Sequence, residues 1–210
     1  KFTTIETALE KIPLPIVAEN FRGNHDLYRI MQSLEKFLDH KDDKRFFDLI
    51  SPLRNMQVSW ADEKVVTAYL GLLKLCFRHG EERQLDSKRL ASVISLSQNL
   101  LQKDQLKPQW VDALQKCEHA MDPRVQANAL IVQAHFDLDI KGLDKKMNSN
   151  HNRIAADAVL VAGRQDFNSS LYDRVIGFLN SDQPRFQASA LYLIATLIEY
   201  HFDRDLVYLK

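Results

Sequence analysis

The sequence predicts an all-α chain, an α-α superhelix of antiparallel helix pairs, on three observations. Apolar residues recur at intervals of three and four along most of the 210 residues, the spacing of one helix face, and β-type alternation is nearly absent. Six glycines and six prolines are few for this length. A short pattern headed by arginine occurs three times in the C-terminal part, at Arg124, Arg153 and Arg185, with spacings of 29 and 32 residues that leave room for two helices and two turns.

Taken in order, Leu27, Ile30, Met31, Leu34, Phe37 and Leu38 make one apolar stripe, so a first helix runs up to the charged stretch DHKDDKR, where the chain must turn. A second covers residues 46–51, before Pro52 removes a backbone donor. Ser59 is placed to cap the helix carrying Val65, Val66, Tyr69, Leu73, Cys76 and Phe77. His79 and Gly80, a cation followed by a C′ glycine, should end it. Asp86 or Ser87 can cap the next helix, with Leu90, Val93, Ile94 and Leu101 inward. Pro108 suits the first turn of a helix whose Trp110, Leu114, Cys117 and Met121 share a face. Short connections favour antiparallel neighbours. With no Gly/Ser-rich linker, residues 1–210 read as a single α-helical domain, a divergent part over 1–120 and repeats over 121–210. The absence of an initial Met and the apolar-periodic C-terminus lead us to expect a piece of a larger protein.

Lys+Arg and Asp+Glu number 28 each, and the balance is even in both halves, which argues against a dedicated nucleic-acid binder. In the most apolar region the longest run without a charged residue is 13 residues, 186–198, short of the roughly 18 needed for a membrane span. Cys76 and Cys117, the only cysteines, sit among apolar neighbours at helical spacing and read as buried thiols in a reducing, cytoplasmic compartment.

Aligning the three arginines sets RVQANAL beside RIAADAV and RFQASAL. After the arginine come a large apolar residue (Val125, Ile154, Phe186), a variable one, an alanine (Ala127, Ala156, Ala188), a small polar residue (Asn128, Asp157, Ser189), a second alanine (Ala129, Ala158, Ala190) and an aliphatic. Pro123 and Pro184 precede two of the arginines. An Asp or Asn beside a proline starts a helix by satisfying free N–H groups and pre-setting φ, and paired alanines let that helix approach its neighbours closely. Between the copies, SSLYDRVIGFLN places Leu171, Val175, Phe178 and Leu179 on one face as a partner helix, and GLDKKMNS offers a shorter one. Over residues 122–200 this pattern resembles the HEAT-repeat family of armadillo-like α-solenoids, whose second helix typically begins with Asp-Pro and runs through an Arg/Ala-rich segment. The resemblance implies a non-catalytic scaffold with an extended groove that binds a protein or peptide, as a regulatory or signalling module. Some HEAT-like proteins hold DNA in that groove, the alternative function.

A cation in the first turn of a helix opposes the macrodipole, so three such arginines ask for a tertiary reason. They form either a ladder to acids and carbonyls of adjacent repeats or a cationic row facing an acidic partner. Arg124, Arg153, Arg185, Asn128, Asp157 and Arg164 are therefore the candidate partner-binding residues, and Gln126, Gln133, Gln187 and Ser189 would line the same face. HFDLD at 135–139 and HFDRD at 201–205 invite a metal reading, but they stand 11 and 16 residues after their arginines and are not equivalent, so no metal site is expected. Cys76 and His79 could meet as thiol and base, yet a helix C-terminus disfavours the thiolate. Gly-rich phosphate loops, H-E-x-x-H, G-x-S-x-G and paired CxxC motifs are absent, so neither an enzyme nor a cofactor is expected. Trp60, before a helix at a turn, would anchor a partner if exposed.

Overall fold

A computed structural model of the chain describes residues 23–38, 43–54, 61–82 and 87–208, and among these the fold is all-α, without a strand. Two compact units divide the chain between Ala113 and Leu114.

In the first unit, α1 (Asn24–Leu38) packs on α2 (Asp43–Arg54) and α3 (Glu63–Glu82), while α4 (Ser87–Ser95) packs on α2 and α3. Leu27, Ile30, Met31, Leu34 and Leu38 of α1 are buried, with Phe37 half-buried at the stripe's edge. They share a core with Phe46, Ile50 and Leu53 of α2, Val65, Tyr69, Leu72, Leu73 and Cys76 of α3, and Val93 and Ile94 of α4.

Local chemistry moves several boundaries. α2 begins three residues before the predicted start and continues past Pro52 to Arg54, because a proline in the last turn costs only the bonds of a helix already ending. α3 starts after Asp62, whose Oδ1 accepts from the Val65 N–H at 2.9 Å, so Asp62 caps it in place of Ser59. Nor does α3 stop at Gly80. It runs to Glu82, since an interior glycine costs only about 1 kcal/mol and glutamates are good helix formers. Ser59, Trp60, Asp86 and the turn at 39–42 lie outside the described residues.

α4 breaks at Leu96 and resumes as the single turn α5 (Ser97–Leu100). The break leaves carbonyls short of helical partners, and buried hydroxyls fill the gap. Tyr69 Oη donates to the Val93 carbonyl at 2.8 Å and lies 2.7 Å from Ser97 Oγ, which donates to the Ile94 carbonyl at 2.6 Å. Burial pushes the Tyr69 phenol far above its ordinary range. Arg89, 5% exposed, makes the other polar anchor: its Nη1 donates to the last two carbonyls of α1, Phe37 at 2.8 Å and Leu38 at 2.9 Å, and the guanidinium lies over the Phe46 ring. A cation is favoured there because those carbonyls have no partner in the helix and carry the negative end of its dipole.

α6 (Pro108–Cys117) opens on its proline as predicted and buries Trp110, Leu114 and Cys117. Met121, expected on the same face, is fully exposed, because the helix ends at Cys117 and three tight turns at residues 118–120 rotate the chain out of register. In the second unit, α7 (Pro123–His135), α9 (Asn152–Gln165) and α11 (Pro184–Tyr208) pack in that order, with α9 between the other two. The short α8 (Leu143–Met147) lies on α9, and α10 (Ser169–Leu179) lies on α11 and α9. Lys146 ties α8 to Glu118 by a 3.1 Å ion pair.

Candidate functional site

The first turns of α7, α9 and α11 carry the repeated pattern, and their chemistry is local before it is tertiary. Asp122, in extended conformation with Pro123 after it, accepts from the Arg124 N–H at 2.8 Å and so caps α7. Two residues into the pattern, Gln126 Nε2 donates to the Ala120 carbonyl at 2.6 Å and Gln187 Nε2 to the Ser181 carbonyl at 2.9 Å. The two glutamines are equivalent, and each staples the loop entering its helix through a carbonyl six residues back. Residue 155 stands at that position in α9 and is a buried alanine, so the middle copy lacks the staple.

Three sequence-equivalent arginines have three different surroundings. Arg124 turns back on its own cap, with Nε to Asp122 Oδ1 at 3.0 Å and Nη2 to Oδ2 at 2.6 Å. Arg153 reaches the preceding copy, its Nη2 donating to Asn128 Oδ1 at 2.6 Å, and its Nε lies 3.9 Å from Asp157 Oδ2 one turn on. Arg185 is exposed, and its side chain has no partner among the described residues. Arg153, Asn128 and Asp157 thus come together, while Arg124 and Arg185 do not join them. Arg164 is exposed on α9, its guanidinium 5.6 Å from the centre of the exposed Tyr200 ring of α11.

Asp157 is the titratable member of that group. Burial raises its carboxyl to about 6, against the opposing pull of Arg153 and Arg164. Asn128 is buried under the Arg153 bond, and Ser189 accepts from Asn152 Nδ2 at 2.9 Å, so the small polar column works at the contacts between successive helices. Gln133, expected on a partner-facing surface, is instead fully buried, and neither of its amide atoms meets a partner among the described residues. Helical rotation explains the correction: nine residues past Arg124, two and a half turns on, Gln133 falls on the opposite side of α7 from the arginine.

Cys76, Cys117 and His201 are engaged in packing. Both thiols are buried and free, and burial pushes each up to about 12, so they remain protonated at neutral pH. Among the described residues no group of three His, Cys, Asp or Glu is placed to hold a metal. HFDLD proves to be a helix terminus. Asp137 adopts positive φ (52°), with its N–H bonded to the Ala134 carbonyl and the Leu138 N–H to the Gln133 carbonyl, the paired bonds of a Schellman stop. HFDRD lies inside α11, where His201 Nε2 sits 3.0 Å from the Gly163 carbonyl. Among the described residues no helix is long and apolar enough to cross a membrane.

The surface that sequence reasoning passed over is on α11. Leu191, Tyr192 and Ile198 are 62%, 54% and 64% exposed, with Ala188 and Ala195 exposed beside them. Its signal is the uncharged run 186–198, too short for a membrane span but longer than one buried stripe requires.

Comparison of the chain with protein-family models, with curated proteins and with solved structures finds no match.

Proposed function

We propose that the chain is a non-catalytic α-solenoid scaffold, built of HEAT-like repeats over residues 121–210, that binds a protein partner as a regulatory or signalling module of the cytoplasm. The observation that carries this reading is the stack α7, α9, α11, in which a repeated sequence register coincides with a repeated contact: α9 packs against both equivalents of itself. A helix stacked by such a register spends its chemistry on its neighbours and exposes extended surfaces, as in repeat proteins that bind other chains. The engaged thiols, the Gly163 bond of His201 and the Arg153–Asp157 pairing support the non-catalytic part. Within the candidate set, Arg153, Asn128 and Asp157 are assigned to stacking, and exposed Arg185, half-exposed Arg124 and Arg164 to the partner.

The test is stoichiometric co-purification with the whole chain as bait, comparing wild type with Arg124→Ala/Arg164→Ala/Arg185→Ala. Loss of a defined protein partner with unchanged circular dichroism and melting is the expected result. Binding of DNA or RNA in a low-salt gel shift, weakening steeply as salt rises, would overturn the reading in favour of a nucleic-acid groove.

A further inference from the structure

The apolar face of α11 is the surface that its two equivalents use for stacking. Counted from each arginine, the positions three, six, seven and ten residues on read Ala127, Leu130, Ile131, Ala134 in α7, then Ala156, Val159, Leu160, Gly163 in α9, then Ala188, Leu191, Tyr192, Ala195 in α11. Each set is small, aliphatic, large and apolar, small. In α7 and α9 these residues are buried or partly buried: Leu130, Ile131, Ala134, Ala156, Val159 and Leu160 belong to or pack on one apolar cluster, Ala127 is fully buried, and a Cβ on Gly163 would come within 2.9 Å of Leu197 on α11. In α11 all four are exposed.

Charge selects the occupant. Arg185, Ala188, Tyr192, Ala195 and Glu199 follow one another at intervals of three, four, three and four, the seam of a helix pair, with Leu191 and Ile198 along its flank. Arg185 and Glu199 are both exposed, and neither side chain has a partner among the described residues. They bracket the apolar seam about 21 Å apart along the helix. The seam is symmetric in side-chain size about Tyr192 and opposite in charge at its two ends: cation, alanine, tyrosine, alanine, anion. Turned by a two-fold axis through Tyr192, a second copy of α11 sets its Glu199 opposite Arg185 and its Arg185 opposite Glu199. Ala188 then faces the copy's Ala195, small against small, so the helices can approach closely, and the tyrosines meet at the axis. A parallel neighbour would leave like charges in register at both ends.

We infer that α11 is an isologous dimer interface, pairing antiparallel with α11 of a second copy of this chain through Ala188, Leu191, Tyr192, Ala195 and Ile198, with reciprocal Arg185–Glu199 ion pairs at its ends. This goes beyond the scaffold reading and shares only Arg185 with it; the two are tested separately, because the dimer is measured on the purified chain alone.

The experiment is sedimentation velocity and light scattering of the whole chain over a concentration series. Wild type is expected at twice its 24.3 kDa mass. Tyr192→Asp, at a position exposed in the protomer, should give a monomer with unchanged helicity. Arg185→Glu and Glu199→Arg, each alone, should weaken the dimer roughly tenfold as two symmetric pairs are lost, and together should restore it. A wild type that stays monomeric at about 100 μM, a dimer that survives Tyr192→Asp, or a double reversal that fails to rescue would each overturn the inference. A monomeric wild type that still retains a protein partner would assign the face to a different chain and leave the scaffold reading intact.

Discussion

Replacing Asp157 by asparagine should change how the stability of this protein depends on pH. The carboxyl is mostly buried on α9, and burial raises it from 3.8 to about 6 although Arg153 and Arg164 pull the other way. The native state therefore holds this proton more tightly than the unfolded chain does. Between about 4 and about 6 the folded protein binds more protons, so stability falls as pH rises through that window. At about 1.4 kcal/mol per pH unit, the whole window is worth ~3 kcal/mol. The amide of Asp157→Asn keeps the shape without the charge, and the same column already holds an asparagine at Asn128. Urea denaturation followed by circular dichroism, run on both proteins from about pH 3.5 to 7.5, isolates this group because all others cancel in the difference. Wild type should lose ~3 kcal/mol relative to the variant across the series, chiefly between pH 4 and 6. Either a flat difference, which would show that the two arginines balance burial, or one that grows in favour of wild type as pH rises, which would show that they outweigh it, would refute the reasoning.

Three further outcomes are expected. Ala156→Leu, in the buried cluster between α9 and its neighbours, should overpack the stack and cost about 1–3 kcal/mol in the same denaturation assay; unchanged stability would count against stacking through that column. Arg89→Ala should cost about 3 kcal/mol, because the C-terminal carbonyls of α1 lose a buried cation that bonds both, and Arg89→Lys should recover only part of the loss. Asp137→Gly should stabilise by about 0.5 kcal/mol and raise the melting temperature by a degree or two, since the αL stop after α7 imposes a Cβ penalty on aspartate that glycine escapes.

Helix content and most core positions were legible in the sequence because they follow from short-range periodicity. The stripe from Leu27 to Leu38, the face of α3 through Cys76 and the Asp-Pro start of α7 each need only a few neighbouring residues to be recognised. Boundaries were less legible where two local signals competed. Gly80 looked like a stop but stayed inside α3, Pro52 ended α2 later than its missing donor suggested, and Met121 kept its spacing while losing its helix.

By itself, the sequence determined that the chain is helical, where a recurring unit begins, and that the paired alanines of its first two copies are buried, because these depend on spacing along one chain. Only the tertiary structure decided what each copy does. Arg124, Arg153 and Arg185 are interchangeable as letters, yet one closes its own cap, one crosses to the preceding helix and one has no partner among the described residues. Equally, the same small-large-large-small face is core in α7 and α9 and surface in α11. Identical local chemistry is buried or exposed according to whether another helix follows it in space, and that is a property of the packed stack.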